Sequence, residues 1–166
     1  HALGRSRGGF TSKLHLVSDG TGLPLDVDVS AGQAHESRYA APLLRRVRVK
    51  RPGRGRPRSR PRAVAGDKGY SYPGVRRALR RRGVRAVIPE RADQVRQRAR
   101  RAGRKPAFDR VAYRRRNVIE RCVGWLKEAR RLATRYEKLA IHYLGVLRLG
   151  IMRQLLTRLA PLSDTP

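Results

Sequence analysis

Residues 109–136, DRVAYRRRNVIERCVGWLKEARRLATRY, constrain this chain more than any other stretch. Stepped at about 100° per residue on a helix, they put Tyr113, Arg116, Glu120 and Lys127 within an arc of roughly 60°. Val118, Ile119, Cys122, Trp125, Leu126, Ala129 and Ala133 fall on the opposite side. That apolar stripe is broad enough to dock a helix on a core. The spacing therefore predicts one helix with a packing face and a polar face, and Asp109 is a candidate N-cap for it.

The polar face has two readings. Arg and Glu three or four apart on an exposed helix commonly form solvated ion pairs. The same set also suits a place where metal ions and phosphates meet, the carboxylate giving hard oxygen ligands and the cations and hydroxyl holding phosphate oxygens. Spacing alone leaves both open.

The stretches before this helix predict strands alternating with helices. Residues 4–9 read as a flexible basic loop. Residues 10–17 alternate with Phe10, Leu14 and Leu16 on one face, and residues 23–29 alternate with Leu23, Leu25, Val27 and Val29 aligned. With the turn Asp19-Gly20-Thr21-Gly22 between them, they form a β-hairpin. Asp26 and Asp28 on its other face read as solvated, and His15 and His35 have no partner at metal-ligand spacing. A short helix is expected over 37–47. Residues 48–62, RVKRPGRGRPRSRPR, have little to bury. They read as a mobile loop, either an electrostatic arm for DNA or a solvated insertion.

Residues 62–66 read as a buried strand that delivers Asp67 at its carboxyl end, where open α/β sheets place their ligands. Ser71 is expected to cap a helix over 72–82 that stops at Gly83, which leaves Asp67 for another role. A strand over 84–88 ends at Pro89, and residues 90–107 are basic and irregular. Residues 138–159 are apolar nearly all round and predict a packing helix. His142, Arg148, Arg153 and Arg158 interrupt them, against a membrane span.

Charge sets the partner. The chain has 41 basic and 12 acidic residues among 166, a formal net charge of +29. A compact fold with that charge repels itself unless a polyanion neutralises it, and nucleic acid is the natural one. Cys122 is the only cysteine, which argues against a disulfide framework or a Cys-rich zinc site. A bacterial, nucleoid-associated cytoplasmic location is expected.

Tyr113, Arg116, Glu120 and Lys127 match Y-x2-R-x3-E-x6-K, the signature of DDE transposases from bacterial insertion sequences, and the chain resembles the insertion-sequence-five group. Ala63-Val64-Ala65-Gly66-Asp67-Lys68-Gly69-Tyr70 resembles the family's second-aspartate motif, a short apolar strand whose aspartate precedes a basic, a small and an aromatic residue. GRSRGGFTSKLHL at the start, Gln33-Ala34-His35-Glu36 and VRAVIPER are also similar to the family, so the resemblance covers nearly the whole chain.

The resemblance implies a ribonuclease-H-like α/β fold, a mixed sheet with flanking helices, filling residues 1–160 ahead of a tail at 161–166. It implies DNA strand cleavage and strand transfer at transposon ends with Mg²⁺, or Mn²⁺ in its place. Asp67 and Glu120 would be catalytic and hold the metal. Tyr113, Arg116 and Lys127 would lie on DNA, and Trp125 would pack in the core or stack on a base. A homodimer is expected to pair two ends. The family's first strand and its aspartate have no counterpart after His1, so the site is expected to be incomplete in this polypeptide. A non-enzymatic DNA-binding remnant and a nuclease or resolvase on the same fold are the alternatives.

Overall fold

A computed structural model describes residues 1–6, 9–100, 102–103 and 108–159. The chain divides into two compact units, residues 1–34 with 117–166 and residues 35–116. The expected tail at 161–166 lies outside the described residues.

The first unit is built on an antiparallel sheet, β1 (Gly4–Ser6), β2 (Gly9–Ser18) and β3 (Pro24–Ala31), in that order. The expected hairpin is β2–β3, with Leu14 opposite Val29 and Leu16 opposite Val27. Asp19 closes its turn. One carboxylate oxygen accepts from the Thr21 N–H at 2.8 Å, the Thr21 hydroxyl at 2.7 Å and the Leu23 N–H at 2.9 Å. Helices α5 (Asn117–Glu128), α6 (Arg130–Ala133) and α7 (Ala140–Leu159) complete the unit. Val27 and Val29 pack with Leu126 of α5 and with Tyr143, Leu147 and Ile151 of α7, which recur every four residues along one helix face.

The second unit contains α1 (Ser37–Arg46), β4 (Ala63–Ala65), α2 (Pro73–Arg81), β5 (Arg85–Val87), α3 (Ala92–Ala99) and α4 (Arg110–Arg114). β4 and β5 pair in parallel, Ala63 opposite Arg85 and Ala65 opposite Val87. Its core is Ala40 of α1, Val75 and Leu79 of α2, Val84 and Ile88.

Several expectations are corrected. Residues 4–6 are a strand paired with β2, not part of a loop. Phe10 is 77% exposed, because it lies opposite Arg5 of that short edge strand and not over the core. The buried strand expected at 62–66 shrinks to Ala63–Ala65, half-buried and ending exposed. The mixed α/β architecture is present, with the described strands in one antiparallel and one parallel sheet. The helix expected over 109–136 is three segments. Arg116 N–H bonds to Tyr113 C=O in a tight turn that ends α4, and Ala129 is extended between α5 and α6. α7 is not buried all round, since Ile141, Leu149, Met152 and Leu156 are more than half exposed. Among the described residues no helix is long and apolar enough to cross a membrane.

Leu147 has no exposed surface, so Leu147→Ala should cost about 2–5 kcal/mol in denaturant unfolding. At Asp19 burial opposes ionisation, but the Thr21 hydroxyl and the N–H groups of Leu23, Thr21 and Gly22 outweigh it and hold the carboxyl below 3.8. A depressed carboxyl stabilises above its unfolded value, and that stabilisation is lost as pH falls through the folded one. Asp19→Asn should therefore lower stability at neutral pH by on the order of 1 kcal/mol, with the gap to wild type closing as acid is added below pH 3.8.

Candidate active site

Asp67, Tyr113 and Arg116 belong to the unit of residues 35–116, and Glu120 and Lys127 to the other. Asp67 follows β4 after one residue, Gly66, and is exposed. It caps a 3₁₀ turn over Lys68–Tyr70, accepting the Gly69 N–H at 2.9 Å. This corrects the expectation that capping falls to Ser71. Tyr72 occupies the N-cap of α2, Pro73 begins the helix, and the Ser71 hydroxyl, fully buried, donates to Gln94 at 2.7 Å. Pro73 fixes φ at the first helical position, which sets the start of α2 one residue later than a Ser71 cap would.

Glu36 stands beside Asp67. A Cβ on Gly69 would meet Asp67 Oδ1 at 3.0 Å and Glu36 Oε2 at 3.6 Å, so the two carboxylates flank the same glycine. Their shared field reaches Tyr70. Burial first, then the charges of Asp67 and Glu36, push its phenol up to about 12. Spacing in the sequence did not pick out Glu36, 31 positions before Asp67; the nearest signal was the likeness of Gln33–Glu36 to a family loop. His35 is likewise not isolated. Its Nε2 is hydrogen-bonded to the Tyr72 hydroxyl, which also accepts from Arg91 at 2.6 Å.

Tyr113 and Arg116 are neighbours. The Arg116 guanidinium lies 5.5 Å from the centre of the Tyr113 ring, and Phe108 tilts against the other part of that ring at 5.2 Å. Asp109 caps α4 as the sequence suggests, accepting the Ala112 N–H at 2.8 Å while its second oxygen takes Arg85 at 3.0 Å. The break between α4 and α5 means that the arc drawn through all four residues does not exist on one helix. It holds for Glu120 in the first turn of α5 and Lys127 in its last, two turns apart on one face and both exposed.

Cys122 and Leu126 form the buried side of α5, and burial pushes the Cys122 thiol up. Trp125 departs from the apolar stripe. It is 39% exposed, with the Arg158 guanidinium 4.3 Å from its ring centre. His15, unpartnered in the sequence reading, is buried with its Nε2 2.8 Å from the Ser30 hydroxyl. It is a packed pair on β2 and β3, with no opening to solvent.

Asp67 and Glu120 are hard oxygen donors of the type Mg²⁺ takes. Among the described residues, no three His, Cys, Asp or Glu side chains gather closely enough to hold a metal. The donor type fits a divalent cation.

A phenol harder to ionise in the folded than in the unfolded chain gives stability that is intact below pH 10 and lost as pH rises toward about 12. Tyr70→Phe should abolish that loss. In urea unfolding across this window the variant should lose less stability than the wild type.

Three comparisons bear on this site. The family model described as Transposase DDE domain matches residues 2–153. The putative transposase for insertion sequence element IS402 of Burkholderia cepacia is 34% identical over 139 residues, which is 84% of this chain and 60% of the relative. The chain thus spans about 60% of the length of that curated relative. No solved structure matches it.

Proposed function

We propose that this chain, which belongs to the DDE-domain transposases of insertion elements, supplies Asp67 and Glu120 as catalytic, metal-holding carboxylates of a transposase that cleaves DNA strands at element ends and joins them to a target. Family relatedness across residues 2–153 and an exposed Asp67 two positions past the end of β4 support the reading. The Gly69 N–H supports it further, by fixing one Asp67 oxygen and so limiting the carboxylate's rotation. Mg²⁺, or Mn²⁺ in its place, would supply Lewis acidity at a phosphodiester oxygen and lower the pKa of an attacking water or 3′-hydroxyl.

The other residues of the signature bind and orient. Arg116 forks onto phosphate oxygens, and Tyr113 holds its guanidinium by the ring face, so less side-chain freedom is lost on contact. Lys127 adds a point charge two turns from Glu120. The Y-R-E-K assignment to the insertion-sequence-five group, a ribonuclease-H-like fold, a homodimer pairing two ends and a nucleoid location belong to the same reading.

A non-enzymatic DNA-binding role is the second reading, favoured by the formal net charge of +29. A nicking and strand-transfer assay on end DNA with Mg²⁺ separates them. Asp67→Ala and Glu120→Ala should each lower the cleavage rate by about 10²–10³-fold, the scale of losing one preorganised catalytic contact, with DNA affinity largely kept. Arg116→Ala should weaken end binding and the salt dependence together. DNA that binds and is never cut by the wild type, with no further effect of either carboxylate variant, would establish the binding-only reading.

A further inference from the structure

Residues 48–62 hold seven arginines, one lysine and no acidic residue. They are anchored at their base. Val49 and Arg58 exchange both backbone hydrogen bonds, at 2.9 and 2.8 Å, as an antiparallel bridge. Arg82, at the end of α2, donates to Ser59 C=O at 2.7 Å and to Leu44 C=O of α1 at 3.3 Å. Between the bridged residues, positions 50–57 project with every side chain exposed. The segment is a fixed-base ribbon with a basic tip, where the sequence suggested a mobile loop.

The tip is built more narrowly than phosphate contact needs. Arg54 and Arg56 are separated by Gly55, and Pro52 and Pro57 bracket them. Gly53 and Gly55 have φ of +81° and +136°, and a Cβ on either would meet nothing within 4 Å. Positive φ already calls for glycine at both positions. The result is a tip whose backbone carries no Cβ at either place, slim enough to enter the minor groove, about 6 Å wide. Gly55 lets the backbone approach the groove floor while Arg54 and Arg56 reach along it. The prolines fix φ on both sides and reduce the entropy lost on insertion.

We infer that the Arg54-Gly55-Arg56-Pro57 tip is a minor-groove reader for A·T-rich duplex DNA. Two features of the groove give the preference. A·T pairs leave only acceptors on the floor, whereas guanine places its N2 amino group there. Narrow A-tracts also concentrate negative potential and attract inserted arginine. The inference shares with the proposed function only its partner, DNA. It needs no metal and none of Asp67, Glu120, Arg116 or Lys127.

The test measures binding of the whole chain, in EDTA, to duplexes of A·T, G·C and I·C pairs. I·C has the minor groove of A·T and the major groove of G·C. A·T and I·C should bind alike, about tenfold or more tighter than G·C, and distamycin, which fills the minor groove, should compete. Arg54→Gln with Arg56→Gln should erase the preference. Arg77→Gln with Arg81→Gln on α2 removes equal charge and should weaken all three duplexes while leaving the preference. Equal affinity for A·T and G·C, binding of I·C like G·C, or a preference that survives the arm variant would overturn the inference. Because no cleavage is involved, failure of the nicking assay would leave this result standing, and the reverse also holds.

Discussion

Several described arginines are held by backbone carbonyls and not by carboxylates. Arg135 donates to the carbonyls of His1, Ala2, Glu137 and Lys138 and to the Ser12 hydroxyl, tying the start of the chain to the segment before α7. Arg76 bonds to Ile88 C=O at 2.7 Å, and Arg82 joins the ends of α1 and α2 to the base of the arm. A carbonyl satisfies a guanidinium N–H without cancelling its charge. The arginines thus perform structural work while their positive field persists at the surface, and that field is what a polyanion meets.

This division explains which parts of the molecule were legible in the sequence. The β2–β3 hairpin was, because alternation and an Asp-Gly-Thr-Gly turn are local signals and the buried Val27 and Val29 agree with them. The N-cap at Asp109 was, for the same reason. The helix over 109–136 was not. Its apolar period runs through both interruptions, and periodicity does not register a tight turn at Arg115–Arg116 or one extended residue at Ala129. The role of Ser71 was misread because a capping preference was weighed without the proline at the next helix's first position.

The candidate site divides along the same line. Asp67, Glu120, Tyr113, Arg116 and Lys127 were legible only as matches to a motif, since their spacing also fits a solvated face. Glu36 was not legible from spacing, because its closeness to Asp67 arises from α1 packing beside the turn after β4 and not from any local repeat. The arm was legible as charge. Its geometry was not, because the Val49–Arg58 bridge and the Arg82 anchor join residues whose pairing no composition reveals.

The turn after β4 shows why the small residue in Asp-Lys-Gly-Tyr is needed. The Asp67 carboxylate turns back on the chain to accept the Gly69 N–H, so one of its oxygens occupies the space a side chain at position 69 would enter. A Cβ at 3.0 Å from that oxygen would be too tight, while Glu36 at 3.5 Å would be in ordinary van der Waals contact. The carboxylate would have to shift by about a few tenths of an ångström against its backbone donor. Glycine at 69 is thus set by close approach and not by an unusual φ. The residue that fixes the orientation of Asp67 is one with no side chain to contribute.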